Sequence, residues 1–165
     1  MSSMKRETLN TAVRDRSDMK LHREVLQLCA DGAPEFIDIT SSVLSVVEAS
    51  GVEHGTVTIF SRHTTAAVKI NENEPLLLQD MACFLERFAP READYRHNDF
   101  DIRTANMTED ECPNGHAHCQ HLLLSASETI PVVDGRAILG RWQSVFVIEL
   151  DRPRDREIVI QVQGW

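Results

Sequence analysis

Residues 60–74 read FSRHTTAAVKINENE. Small and apolar residues surround Arg62, His63 and two threonines, and two amides and two carboxylates follow. These polar groups are costly to bury, so a packed core does not need them, whereas a site for a charged ligand or a metal does. The stretch therefore predicts two strands with a candidate site at their loops. The alternative is an ordinary polar turn whose side chains are solvated.

The pattern on both sides of this stretch predicts an α+β domain, rich in strands, with helices against a mostly antiparallel sheet. The predicted helices run from an N-cap at Thr40 to Gly51, from Pro75 to Pro90, and from Asn114 to about Ala126. The predicted strands cover 21–29, 35–39, 55–60, 66–70, 130–133, 137–139, 142–150 and 157–163.

Two strand pairings are expected. Strand 55–60 should lie beside strand 66–70, and the strands that carry Gln143 and Gln163 should pair with each other. Asp134-Gly135 is a tight-turn signal that predicts a hairpin. The segment 91–113 has no regular period, and an irregular connection of this length is more often functional than idle.

Composition restricts the functional class. The 165-residue chain is 42% hydrophobic and has a formal net charge of -9, so it offers no basic field for nucleic acid or an anionic membrane. No apolar run approaches the ~20 residues of a membrane span. We expect residues 1–19 to form a flexible arm without secretory features and residues 20–165 to form one domain. The four cysteines form no C-x-x-C pair, which indicates free thiols and a cytoplasmic protein.

Histidines supply the first candidate chemistry. His118 and His121 share a helical face at a spacing of three residues, and His63 or His97 could converge on the same point. Imidazole ligands would suit zinc. The alternative is a polar helix face that carries histidines by chance, and residue spacing leaves both interpretations open.

Phosphate binding is the second candidate. Arg62 and Arg96 have forked donors for a phosphate, and the hydroxyls of Thr64 and Thr65 could complete the cradle; surface ion pairs are the alternative for both arginines. The helix start at Asn114-Gly115 could also offer N–H groups to an anion.

Further candidates lie elsewhere in the chain. The carboxylates of Glu72 and Asp80 could hold Mg²⁺ beside a phosphate. Trp142 is expected in the core, or else as the wall of a ring-binding pocket with Gln143. No P-loop, dinucleotide-binding, serine-hydrolase or zincin motif is present in the sequence.

Several ordered motifs resemble one known family, the YjbQ-like proteins, also described as secondary thiamine-phosphate synthases. The resemblance covers about residues 20–165. The motifs that carry it are His63-Thr64-Thr65-Ala66, Asn71-Glu72-Asn73, Asp80, Tyr95-Arg96-His97, Ala117-His118, Ser127-Glu128-Thr129-Ile130-Pro131-Val132, Gly135-Arg136, Leu139-Gly140-Arg141-Trp142-Gln143 and Gln161-Val162-Gln163-Gly164.

The resemblance implies a single α+β domain whose sheet is folded on itself like a sandwich, with about three helices, assembled as a homotrimer. It implies a weak or secondary activity that joins hydroxymethylpyrimidine diphosphate to a thiazole phosphate and releases pyrophosphate. The implied site is a polar pocket near the subunit boundary. Carried over by motif, it contains His63, Thr64, Asn71, Glu72, Arg96, His97, His118, Trp142 and Gln143.

Together with the candidates from residue chemistry, these positions define the predicted roles. The predicted catalytic residues are His63, Glu72 and His118. The predicted substrate-binding residues are Arg62, Thr64, Thr65, Asn71, Arg96, Trp142 and Gln143. The predicted metal ligands are His63, His97 and His118, with Mg²⁺ or Zn²⁺ as the divalent cofactor and a small phosphorylated compound as the substrate.

The chain departs from the family pattern where Arg141 replaces the usual threonine, and there an added cation would either tighten phosphate binding or obstruct the pocket. His116 and His121 are not regular family positions. Two other functions remain open from the sequence. One is a metal-dependent hydrolase or lyase of a small phosphorylated compound, and the other is a non-catalytic trimer that binds an anion.

Overall fold

The polar segment that leaves the strand ending at Ser61 carries the chain from one antiparallel sheet to another. The computed structural model describes residues 19–165, so the predicted arm of residues 1–19 lies outside the described residues except for Met19. The helices and strands are β1 (Lys20–Cys29), β2 (Glu35–Asp38), α1 (Thr40–Ser50), β3 (Gly55–Ser61), β4 (Ala66–Asn71), α2 (Pro75–Phe88), α3 (Gly115–Leu123), β5 (Ser127–Val133), β6 (Arg136–Ala137), β7 (Ser144–Glu149) and β8 (Asp155–Gly164).

The two sheets are antiparallel throughout. One has five strands in the order β1-β8-β3-β5-β6, and the other has three in the order β2-β7-β4. The α+β class and the hairpin at Asp134-Gly135 are therefore confirmed. The two expected pairings were wrong, because β3 and β4 lie in different sheets, and β7 and β8 do as well. The chain crosses between the sheets at residues 62–65 instead of turning back beside β3.

Alternating residues fill the space between the sheets. Val57 of β3 and Ile160 of β8 face Val147 of β7, and all three are at most 1% exposed. Burial of each such side chain contributes about 1.5–3 kcal/mol. Strand β7 is buried on both faces, because Phe146 and Ile148 pack on its other side against α2 and α3. The layers are thus sheet, sheet and helices, with α1 closing the space between the sheets.

Local signals explain the helix ends. Gly51 has a φ of 60° after α1, a conformation that glycine adopts without strain, and its N–H donates to the Glu48 carbonyl. Glu74 begins α2, because its carboxylate accepts from the N–H groups of Leu76 and Leu77, and these bonds hold its pKa below the usual value. The predicted N-cap role of Thr40 was wrong, since its hydroxyl bonds Asp38 and Val145 instead.

A buried ion pair joins the two sheets at the Glu149 end of β7. The guanidinium of Arg156 forks onto the Glu149 carboxylate, with Nη2 at 2.6 Å from Oε1, and these residues are 3% and 0% exposed. Arg156 also donates to the Thr65 hydroxyl at 3.0 Å. The Asp151 N–H donates to Glu149 Oε1 at 2.9 Å. These bonds connect the start of β4, the end of β7 and the start of β8.

Helix α3 brings polar side chains into the core between the three-stranded sheet and the helices. Asn114 occupies its N-cap position, and the helix ends at Leu123. Gln120 donates to the carbonyls of Leu85 and Ala89 at the end of α2. His116 is 1% exposed, and within residues 19–165 neither ring nitrogen has a hydrogen-bond partner of good geometry. No helix in these residues is long and apolar enough to cross a membrane.

Arg156→Met tests the buried pair. The variant leaves the Glu149 carboxylate buried without its cation, so the free energy of unfolding should fall by about 3–5 kcal/mol in chemical denaturation. The matched control is Arg62→Met, which removes the exposed ion pair with Glu157 and should cost only about 0–1 kcal/mol.

The double variant Arg156→Met/Glu149→Leu should recover most of the loss, because an apolar pair leaves no uncompensated charge. Equal losses from Arg156→Met and Arg62→Met would contradict a special role for the buried pair.

His116→Leu tests the buried imidazole. Burial, followed by the nearby Arg91 cation, holds the His116 pKa below its usual value, against opposing effects from Asp151, Glu86 and the Leu150 carbonyl. The unfolded chain therefore binds more protons below about pH 6.5, so the free energy of unfolding falls as pH drops through that range.

The expected result is a shallower decline of stability between about pH 7 and pH 5 in His116→Leu than in the unmodified protein. The exposed Leu122→Gln on the same helix is the control and should keep the original slope. An unchanged slope in His116→Leu would show that this histidine does not contribute.

Candidate functional site

The predicted site residues fall at two ends of the three-stranded sheet. Ala66 of β4 pairs with Glu149, and Asn71, five residues later, pairs with Ser144. Those five steps span about 17 Å at ~3.3 Å per residue. The Glu149 end holds His63, Thr65 and the start of α3, and the Ser144 end holds Asn71, Glu72, Trp142 and Gln143. Stretch 60–74 therefore contributes to two separate regions of the structure.

His63 is half-buried at the Glu149 end, where its Nε2 accepts from the Glu157 N–H at 2.9 Å. A donor facing Nε2 places the proton of the neutral ring on Nδ1. Burial, followed by the Arg156 cation, lowers the His63 pKa. Nε2 is thus engaged with the backbone, and Nδ1 is the ring nitrogen that remains for a ligand.

The neighbours of His63 divide between surface and core. Arg62 forms an exposed ion pair with Glu157, at 2.9 Å between Nη1 and Oε2. Thr64 is exposed, whereas Thr65 is buried and its hydroxyl accepts from Arg156. The polar residues after Ser61 therefore have different roles, and Thr65 belongs to the bonds that hold the sheets together.

His97 and His118 come together as an imidazole pair. Their ring centroids are 4.7 Å apart and the ring planes are inclined by 66°. His97 lies on a single 3₁₀ turn, Arg96–Asn98, and His118 lies on α3. Burial, followed by the neighbouring His97, lowers the His118 pKa, so the neutral form of His118 is favoured.

Gly115 allows the 3₁₀ turn that carries His97 to pack closely against the start of α3. The Asn98 side-chain oxygen accepts from the Gly115 N–H at 2.8 Å, which fixes the 3₁₀ turn against the start of α3. A Cβ at position 115 would lie 2.5 Å from the Tyr95 Cβ, so only glycine fits at this position. The anion site expected at Asn114-Gly115 therefore lacks the Gly115 N–H, which is already bonded.

An open groove of about 500 Å³ lies beside the histidine pair, lined by Arg96, His97, Ile102, Arg103, Ala105 and Asn106. Arg103 holds the loop, because it donates to the Asn106 carbonyl at 2.9 Å and pairs with Glu111 at 2.9 Å. Arg96 is exposed, and the described residues offer it no ion pair. The groove thus presents the Arg96 cation and the His97 ring to an anion.

The described residues bring together only two of the three expected metal ligands. Across residues 19–165, no three His, Cys, Asp or Glu side chains are grouped so that they could hold a metal ion. His97 and His118 supply two imidazoles, whereas His63 contacts Glu157. Catalytic zinc needs three protein ligands. A site built on His63, His97 and His118 therefore stays a prediction, as does a Mg²⁺ site at Glu72 and Asp80, both of which are exposed.

The Ser144 end holds the aromatic candidate. Strand β7 begins at Ser144, and Trp142 lies before it with 62% of its surface exposed, so the expectation of a core tryptophan was wrong. The Arg141 guanidinium lies 4.6 Å from the centroid of the Trp142 ring and covers part of it. Gln143 closes the turn, because its Oε1 accepts from the Gly140 N–H at 2.7 Å.

Sequence reasoning missed the buried polar residues between β7 and β8. Residues 151–155 lie between the predicted strands 142–150 and 157–163, yet Asp151 is 1% exposed and bonds Arg154 and Asn114. One signal was available. Arg156 has the same period-two phase as Ile158, Ile160 and Val162, which places it on the buried face of β8.

Comparisons with known proteins agree with this architecture. The family profile described as "UPF0047 protein YjbQ-like" matches residues 24–165. A UPF0047 protein of Methanothermobacter thermautotrophicus is 42% identical over 146 residues, which cover 88% of this chain and 94% of that relative. A UPF0047 protein of Synechocystis is 37% identical over 87% of this chain and 92% of its own length.

Solved structures lead to the same family. A YbjQ-like protein of unknown function from Sulfolobus solfataricus superimposes with a TM-score of 0.81 at 32% identity, covering 90% of this chain and 100% of that one. An uncharacterized conserved protein of the yjbq/upf0047 family from Clostridium acetobutylicum gives 0.70 at 33% identity, with 85% and 98% covered. The profile match and these relatives show that the chain belongs to the UPF0047 family of YjbQ-like proteins.

Proposed function

We propose that the protein is a transferase of the thiamine-phosphate synthase type, with a weak or secondary activity. Its substrates would be hydroxymethylpyrimidine diphosphate and a thiazole phosphate. The observation that carries the proposal is the His97–His118 pair beside a groove that presents Arg96. The motif resemblance supplies the reaction, and this groove supplies a place for a phosphorylated substrate.

The proposed reaction needs few catalytic groups from the protein. The thiazole nitrogen attacks the pyrimidine methylene carbon, the new C–N bond forms, and the C–O bond to the diphosphate breaks with its electron pair on the leaving oxygen. Arg96 is placed to balance the charge that grows on the diphosphate. His118 lies against His97, which lines the groove, and a neutral His118 would donate or accept a hydrogen bond at the edge of the groove. Because the carbon is already activated, positioning of the two substrates accounts for a slow turnover.

Magnesium would neutralise the released pyrophosphate. Hard cations prefer oxygen ligands, and the exposed carboxylates of Glu72 and Asp80 are the candidates that the motifs offer. Neither residue lines the groove: Glu72 directly follows β4, and Asp80 lies on α2. The Ser144 end is therefore the proposed origin of the acidic and aromatic groups of the site.

A homotrimer would bring the two ends together, with the Ser144 end of one subunit placed at the Glu149 end of the next. The outer face of the five-stranded sheet supports self-association. Val25, Val159 and Phe60 form a row across three neighbouring strands, and no described helix covers it. Val25 is 50% exposed and Phe60 is 44% exposed, which is typical of a surface that meets a partner.

The same proposal places the protein in the cytoplasm. Cys29, Cys83, Cys112 and Cys119 are all free thiols, as a reducing compartment maintains. The groove also supports a second candidate, a trimer that binds an anion without catalysis, because Arg96 alone would hold a phosphate at an open surface. A metal-dependent hydrolase or lyase receives less support, since the histidine pair supplies only two ligands.

Turnover by purified protein tests the proposal. With both substrates and Mg²⁺, the protein should form thiamine phosphate, measured by chromatography. Arg96→Ala and His118→Ala should each lower the rate by about 10²-fold, because they remove charge stabilisation and a polar contact at the leaving group. Arg87→Ala, an exposed arginine on α2, is the matched control and should keep full activity.

Mixed trimers test the shared site in the same assay. Co-assembled His118→Ala and Glu72→Ala subunits should recover part of the activity, because some boundaries then combine two intact ends. Thermal stabilisation by pyrophosphate without any product would reject the transferase and favour the anion-binding trimer.

A further inference from the structure

A second cavity, separate from the groove, lies between α2 and the outer face of the three-stranded sheet. Its volume is about 390 Å³, within the range of roughly 300–1,000 Å³ typical of small-molecule sites. Its walls include Phe36, Phe84 and Phe146. Phe36 and Phe146 meet edge to face with centroids 6.2 Å apart. Phe146 is 1% exposed, so the half-buried Phe36 and the exposed Phe84 supply the aromatic surface that is open to another planar group.

Two polar side chains of β4 line this apolar cavity. Lys69 and Asn71 follow Ala67 at a spacing of two residues, so all three lie on the face of the sheet that looks toward α2. Lys69 Nζ binds Glu128 at 2.8 Å, and an ammonium group has three donors, so two remain. Asn71 Nδ2 faces Met81 Sδ at 3.1 Å, a weak acceptor.

Both polar groups therefore act as donors toward the cavity. Asn71 Oδ1 already accepts from the Glu72 N–H at 2.9 Å, and the lysine has no acceptor atom. A ligand that fits must then combine a flat apolar body with an acceptor. Lys69 is ion-paired with Glu128, so it offers such an acceptor its two remaining charge-assisted N–H donors. Met81 can adapt to the outline of such a ligand.

We propose that this cavity binds a small planar aromatic acid, with its ring among the phenylalanines and its carboxylate or sulfonate at Lys69. The site does not use Arg96, His97 or His118, and it shares only Asn71 with the residues assigned to the transferase. Its occupant need not be a substrate. Binding is measured without turnover, so failure of this proposal and failure of the proposed activity are distinguishable.

A fluorescence titration with 1-anilinonaphthalene-8-sulfonate tests the cavity on the full chain. The probe should bind with a saturable enhancement at one site per subunit. Phe84→Ala should weaken binding about fivefold, because it removes one aromatic wall. Phe88→Ala is the matched control: it changes the same residue type one turn later on α2, outside the cavity, and should have no effect. Both side chains are more than half exposed, so both variants should fold.

A charged probe and an uncharged probe together test whether binding needs the Lys69 ammonium group. Lys69→Met should weaken binding of the sulfonate probe about tenfold and leave binding of the uncharged N-phenyl-1-naphthylamine unchanged. Equal weakening by Phe84→Ala and Phe88→Ala would place the probe on exposed helix surface and overturn the proposal. Binding of the sulfonate that is insensitive to Lys69→Met, or that disappears as subunits associate at higher protein concentration, would also overturn it.

Discussion

The Arg156–Glu149 pair is the constraint on which the rest of the structure depends. It lies where β4, β7 and β8 converge, so one buried guanidinium connects the two sheets through Glu149 and Thr65. An ion pair removed from water is favourable only when its remaining donors and acceptors are also bonded. Here the Asp151 N–H and the Thr65 hydroxyl supply those bonds. The geometry of the Glu149 end is therefore fixed by electrostatics as well as by packing.

That constraint determines where functional groups can lie. Segment 149–157 contacts His63 on one side, where the Glu157 N–H donates to the His63 ring. On the other side it contacts the start of α3, where the Asn114 amide donates to the Asp151 carboxylate. The His97–His118 pair and the Arg96 groove are built outward from this rigid base. The amides and carboxylates after β4 lie about 17 Å away, at the far end of the same strand. The proposed composite site would therefore need a second subunit, so the proposed trimer and the proposed activity stand together.

Sequence patterns predicted the elements well, because each depends on local chemistry. Apolar periodicity predicted the fold class. Gly51 marked the end of α1, Pro75 marked the start of α2, and the ordered motifs indicated the family. The sequence did not show which strands share a sheet. The crossover at residues 62–65 is held by the bond from Arg156 to the Thr65 hydroxyl, and these two residues are 91 positions apart, so no local pattern reveals the bond. Trp142 was wrongly predicted to be buried, because an apolar run does not show at which residue its strand begins, and β7 begins only at Ser144. His97 and His118 were candidates by type, but their contact depends on Tyr95 fitting against Gly115.

Amide hydrogen exchange in Thr65→Val tests the central role of the buried pair most directly. Valine keeps the shape of threonine and removes the hydroxyl that accepts from Arg156. Exchange should become faster by about tenfold or more at the amides of Leu150, Asp151 and Glu157, which are bonded within this cluster. The amides of Leu76 and Leu77, bonded to Glu74, should be unchanged. Equal acceleration in both groups of amides, or none near Glu149, would show that the buried pair does not fix this end of the sheets.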